Sequence, residues 1–138
     1  MPLGDWIYSR LSGDTAITDV VGDAIYPDQA PQLAPSPVVI FAYQYGVVRI
    51  RAIKHSHVSE VTYLVRVVGD GMSFDEIKPV ADRFTPLMTV PQGGVDIGGI
   101  RIMSSWLFQP SQRRDAADGH PQVYLGAFYT FAIKQVVS

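Results

Sequence analysis

The chain has 138 residues, the length of one ordinary domain that buries roughly two-thirds of its unfolded surface around a single core. Hydrophobic residues at 47% against charged residues at 17% exclude a disordered chain and leave apolar surface for a partner, while 11 Lys and Arg against 13 Asp and Glu, net −2, lack the positive excess of a general nucleic-acid binder. The absence of cysteine excludes disulfides, thiolate metal sites, Fe–S clusters and thiol catalysis, and the lack of a long apolar run or a basic, hydrophobic start predicts a soluble chain made inside the cell, with no membrane partner.

Leu3, Ile7 and Leu11 repeat every four residues, with Trp6 and Arg10 beside the stripe, and predict a short N-terminal helix lying on a core. Gly13-Asp14 breaks and caps the chain. Ala16, Ile17, Val20 and Val21 then give a second helical turn, ended by Gly22. Pro27, Pro31, Pro35 and Pro37 prohibit regular helix or central strand, so 27–37 is predicted as an extended surface connector. From Val38 to Tyr45 the residues are β-branched and aromatic on both alternating faces, a strand covered on both sides and stopped by Gly46. Val58 to Val68 is the next strand: Val61, Tyr63, Val65 and Val67 share one face, Glu60, Thr62 and Arg66 the other, with an end at Gly69-Asp70-Gly71. The intervening stretch 47–57 holds Arg49, Arg51, Lys54, His55 and His57, and its periodicity suits either a further strand or a mobile basic arm.

Ser73 and Glu76 form a capping box ahead of Phe74, Ile77, Ala81, Phe84 and Met88, which step by three and four along one side of a central helix. Pro79 predicts a kink or a start shifted toward Ile77, and Pro86 the end of the helix. Paired glycines, Gly93-Gly94 and Gly98-Gly99, bracket a short strand at Val95-Asp96-Ile97. Ile100, Ile102, Trp106 and Phe108 are then read as one face of a strand. In the last strand, beginning at Val123 and predicted to run to position 136, Val123, Leu125, Ala127, Tyr129, Phe131 and Ile133 face one way, and Tyr124, Phe128, Thr130 and Lys134 the other. Between these two strands 109–122 reads as a long polar loop, with Arg113, Arg114, Asp115, Asp118 and His120. The order predicts an α+β fold: a single compact domain over 1–138, its mostly antiparallel sheet packed by the N-terminal and central helices. No internal repeat or low-complexity tract is found.

Chemistry is thinly represented. His55 and His57 alternate on one side of a strand and, with His120, are the residues a small metal-binding domain would use, but two solvated histidines in a basic arm are the simpler reading of the spacing. Ser104-Ser105 have no glycine elbow, and Ser73 is occupied as a cap. Asp75-Glu76 suit a helix N-terminus, and Asp115 with Asp118 lack calcium-loop spacing. The glycine pairs match neither a dinucleotide fingerprint nor a Walker loop. No catalytic constellation and no cofactor site are expected, so the chain is read as a non-enzyme. What stands out is interaction surface: 49–66 is basic, whereas the first 30 residues hold Asp5, Asp14, Asp19, Asp23 and Asp28 against Arg10. Unlike patches on one protomer suit a heterologous contact between copies, although plain solvation accounts for them as well.

Several features in order resemble the tail-completion, or tail-terminator, proteins of long-tailed bacteriophages and related gene-transfer particles. They are the short N-terminal helix, Leu11-Ser12-Gly13-Asp14, the step Val20-Val21-Gly22-Asp23-Ala24-Ile25-Tyr26-Pro27, Ala30-Pro31, Pro37-Val38-Val39-Ile40-Phe41, an Ala81 to Phe84 helix centre and the closing Tyr129-Thr130-Phe131-Ala132-Ile133. The resemblance covers most of the chain, and the glycine-Asp-x-Ile-Tyr-Pro step is its most distinctive part. It implies a structural virion protein, made in the host bacterial cytoplasm, that assembles as a hexameric ring at the head-proximal end of the tail tube. Such a ring ends tube polymerisation and joins the tail to the head connector, and DNA passes through its lumen without sequence-specific contacts. A head-side connector or stopper, or a tube protein of the same particle, is the alternative within the class. The arms 47–57 and 109–122, with Arg49, Arg51, Lys54, His55, His57, Arg113, Arg114, Asp115 and Asp118, are then the expected contacts to a neighbouring copy, the tube protein or the connector.

Overall fold

The computed structural model describes residues 2–31, 36–50, 57–115 and 122–135. Four helices and six strands follow one another as α1 (Pro2–Ser12), α2 (Thr15–Val21), β1 (Ile25–Pro27), β2 (Val38–Ile50), β3 (His57–Asp70), α3 (Phe74–Ala81), α4 (Phe84–Met88), β4 (Val95–Ile97), β5 (Ile100–Asp115) and β6 (Gln122–Gln135). The strands make one sheet in the order β1-β2-β3-β6-β5-β4. Every neighbouring pair is antiparallel except β1 with β2, which run parallel, so the α+β reading holds with a mixed sheet.

The predicted stripe of α1 is the one that is buried: Leu3, Ile7 and Leu11 are all but inaccessible. Trp6 meets Phe131 edge-on with ring centroids 5.9 Å apart. Asp14 caps α2, its carboxylate accepting from the Ala16 N–H at 3.0 Å. The helices lie on the sheet face formed by Val39 and Phe41 of β2, Val61 to Val67 at alternate positions of β3, and Val123 to Phe131 at alternate positions of β6, as the alternation predicts. Side-chain bonds tie the layers together. Arg83 Nε donates to Asp14 Oδ2 at 2.7 Å, Arg10 Nε to the Leu87 carbonyl at 3.0 Å, and Ser105 Oγ to the Met88 carbonyl at 2.7 Å.

Five expectations are corrected. Ile25–Pro27 is a short parallel edge strand, not the start of a connector; proline fits there because an edge strand leaves one row of N–H groups unused. β2 does not stop at Gly46 but runs on to Ile50, with a bulge between Tyr43 and Tyr45. At Gly46 the Tyr43 hydroxyl comes within 3.1 Å of where a Cβ would stand, so a larger residue there would shift the exposed Tyr43 ring. The single helix from Phe74 to Met88 is two: α3 begins at Phe74 in spite of Pro79, the chain breaks at Asp82-Arg83, and Pro86 lies in the first turn of α4 rather than at an end. A continuous helix would require a Pro86 N–H for the Asp82 carbonyl, whereas in the first turn of a new helix that missing donor costs nothing. In β5, bulges at Ile102/Ser104 and Leu107/Gln109 shift the alternation, so Ile102 is buried while Trp106 and Phe108 are exposed. Finally, the polar loop starts later than predicted: β5 keeps its ladder with β6 to the pair Asp115↔Gln122. Its polar composition belongs to an edge strand with solvent on its outer side.

The face away from the helices is less polar than the alternation suggests. Val38, Ile40, Leu64 and Val68 are buried there, and Thr62 and Thr130, directly opposite each other, share a hydrogen bond of 2.9 Å between their hydroxyls.

Candidate interaction surface

The sheet leaves two long edges open. β1 pairs with β2 only over Val39, Ile40 and Phe41, and β4 with β5 only over Ile100, Arg101 and Ile102. From Ala42 to Ile50 on one edge, and from Ser104 to Asp115 on the other, the described residues supply no further strand. Among these, Tyr43 (48% exposed), Tyr45, Val47, Trp106, Leu107 and Phe108 (54%) are large apolar residues in solvent.

At the β2 edge the exposed rings line a groove. Tyr8 and Gly4 of α1, Asp28 after β1, Phe41 and Tyr43 of β2 and Tyr63 of β3 surround an open cavity of about 620 Å³, with Asp5 at its side. Tyr43 and Tyr63 meet edge-on at 5.9 Å, and Tyr8 tilts against Phe41 at 6.3 Å. Burial, followed by the charges of Asp28, Tyr43 and Asp5, pushes the Tyr63 phenol above its ordinary range. Among the described residues no Lys, Arg or His lines it.

At the opposite edge the bulge between Leu107 and Gln109 leaves Phe108 without a cross-strand partner and turns it outward. Arg113 and Arg114 follow on the same strand, exposed, with guanidinium groups 5.8 Å from the Tyr124 ring and 5.2 Å from the Phe74 ring. Arg66 also lies over the Tyr124 ring, at 4.9 Å, with a buried Nε that no acceptor among the described residues reaches, and burial lowers its pKa.

Of the residues expected to make contacts, Arg113, Arg114 and Asp115 are on β5 rather than in a loop; Arg49 is on β2 opposite Val58, and His57 opens β3 opposite Ile50. Arg51, Lys54, His55, Asp118 and His120 lie outside the described residues, so the structure does not bring the three histidines together or keep them apart. Among the described residues no group of three His, Asp or Glu could hold a metal ion, and no helix is long and apolar enough to cross a membrane. The sequence reading passed over Tyr8, Tyr43 and the Trp106-Leu107-Phe108 run. The signal was available in the last of these, because three successive large apolar residues on a half-buried strand cannot all face one core.

Open stretches of edge strand, an aromatic groove and exposed apolar side chains lie together on one small sheet. Residues 6–123 match the family model of tail completion protein gp17. The chain belongs to that family and is a structural protein of a phage-type virion tail. Its structure is similar to a chain in the solved virion of a native gene transfer agent particle, with a TM-score of 0.71 at 17% identity, covering 96% of this chain and 95% of that one. At that identity the likeness is one of fold. No curated protein matches the sequence.

Proposed function

We propose that this protein closes the head-proximal end of a phage-type tail tube as a hexameric ring, halts tube growth and provides the surface on which the head connector docks, without catalysing a reaction. The observation that carries the reading is the family match over residues 6–123. The two open sheet edges are consistent with it: a subunit that repeats around an axis needs two unlike lateral surfaces, and these edges carry different exposed side chains, Tyr43, Tyr45 and Val47 on one and Trp106, Leu107 and Phe108 on the other. Arg49, Arg51, Lys54, His55 and His57 on one arm, and Arg113, Arg114, Asp115 and Asp118 on the other, are proposed to reach a neighbouring copy, the tube protein or the connector.

The test is genetic and structural. Particles assembled without the protein are expected to show tails of abnormal length or heads without tails; normal joined particles in its absence would defeat the reading. Gold labelling of a tagged chain in purified particles locates it at the tail's head-proximal end if the proposal holds. Label on the head side of the junction, or along the tube, makes it a connector stopper or a tube protein instead.

A further inference from the structure

The outward Phe108 and the Tyr8–Tyr43 groove occupy corresponding places on opposite edges of one sheet. The register makes this explicit: Tyr43 pairs with Tyr63, Tyr63 with Tyr129, and Tyr129 with Leu107, the residue before Phe108. One row of residues therefore runs from the aromatic groove at the β2 edge to the exposed Leu107 and Phe108 at the β5 edge. The two sites also differ in charge. Asp5 and Asp28 line the groove with no basic residue among its described walls, while the open stretch of β5 has no acid from Ser104 to Gln112 and then carries Arg113 and Arg114 ahead of Asp115.

We propose that Phe108 of one copy, with its β5 edge, seats in the Tyr8–Tyr43 groove of the next copy, making a repeating head-to-tail contact around the ring. This rests on the ring reading above and names the surfaces that meet in it. A second copy fits the groove better than an unrelated ligand for three reasons. Phe108 lies at the matching level of the sheet, so adjacent copies can meet edge to edge with little offset. The groove has room for more than one large side chain, and Leu107 and Trp106 flank Phe108. The contact is heterologous, which lets the same pair of surfaces repeat until the rotation closes. Phe108 loses exposed area among four aromatic rings, and the carboxylates of Asp5 and Asp28 meet a stretch of β5, Ser104 to Gln112, that carries no like charge.

The test uses the full chain with substitutions at one exposed position. Phe108→Asp places a carboxylate beside Asp5 and Asp28 and is expected to abolish assembly, read by native mass spectrometry, while leaving the thermal midpoint of the monomer unchanged. Phe108→Arg places a guanidinium among the same rings and carboxylates and is expected to keep assembly; a role for Phe108 within its own subunit gives no reason for the two to differ. Because the chain has no cysteine, the double variant Phe108→Cys with Tyr8→Cys gives an independent readout: mild oxidation is expected to yield a ladder of covalent oligomers, and each single variant dimers at most. A wild-type ring that survives Phe108→Asp, or a wild-type ring whose double-cysteine variant gives no ladder, overturns this contact and leaves the ring standing. A wild-type chain that forms no ring, alone or on tail ends, removes the ring and the contact together.

Discussion

Gly126 stands opposite Arg66 where β6 pairs with β3, and a Cβ there would run into the Val65 carbonyl and come within 2.6 Å of the Arg66 Cα. Neither neighbour is the free end of a side chain, so relief requires the two strands to separate. Gly126→Ala is expected to lower stability by about 1–3 kcal/mol, the usual cost of overpacking, in a denaturant titration. Tyr129 is a buried residue of another kind: its hydroxyl shares a hydrogen bond of 2.8 Å with Thr85 Oγ1, and burial holds its phenol above the ordinary value. A folded pKa above the unfolded value of 10.0 means that the native state keeps the proton longer. The associated stability is whole below that value and is lost as pH rises through the folded pKa. Tyr129→Phe is expected to cost about 1 kcal/mol at neutral pH through the lost bond, and to flatten the fall in stability on the alkaline side. Equal alkaline slopes for the two proteins would contradict the assignment. The sequence reveals positions of this kind unevenly. The buried face of α1 follows from spacing, whereas the place of Gly126 depends on which strand lies beside β6, a fact absent from local pattern.

Asp14 joins two elements at once. Its carboxylate caps α2 and receives Arg83 from the start of α4, and its side chain is only 9% exposed against 42% for Arg83. Asp14→Asn preserves a capping oxygen and removes the charge; Asp14→Ala removes both. The first is expected to cost under about 1 kcal/mol and the second about 1–2 kcal/mol more, so thermal or urea unfolding should rank them in that order. Equal losses would mean that the ion pair, not the cap, dominates. Helix starts were legible because capping chemistry is local: Asp14, and Ser73 whose backbone N–H donates to the Glu76 carboxylate at 3.1 Å, both stand where the pattern puts them. Helix interiors and strand ends were less legible, for identifiable reasons. Phe84 and Met88 keep the periodicity of α3 across the break at Asp82-Arg83, because both short helices bury the same side on the same sheet. Arg113 to Asp115 look like loop because an edge strand, open to water on its outer side, accepts polar residues. The bulges in β2 and β5 leave no periodic trace, so Phe108 is read on the buried side although it is the outward one.

At the level of the whole chain, the order of pairing determines which parts are held from both sides. β3 and β6 are central, each flanked by long strands, while β2 and β5 are capped by three-residue strands over only part of their length. Nothing in the alternation of a strand names its neighbour, so the adjacency of β3 and β6, distant in sequence, emerges only in three dimensions; the antiparallel hairpins β2–β3 and β5–β6 could be expected from sequence order alone. Hydrogen exchange can read this hierarchy. In the dilute, monomeric chain the amides of Val61 to Val67 and of Val123 to Phe131 are expected to exchange most slowly, because their opening requires the core to open, and those of Trp106 to Gln109 and of Tyr43 to Val47 far faster. Assembly then changes the second group and not the first: if Phe108 seats beside Tyr8 and Tyr43, protection rises at both edges together, since every copy in a closed ring gives one edge and receives the other. Protection gained at one edge alone would require an interface between like surfaces, which pairs two copies and stops. Protection gained at neither edge, in a chain that nonetheless forms a ring, would move the contact to the helical layer and leave the open edges for the tube or the connector.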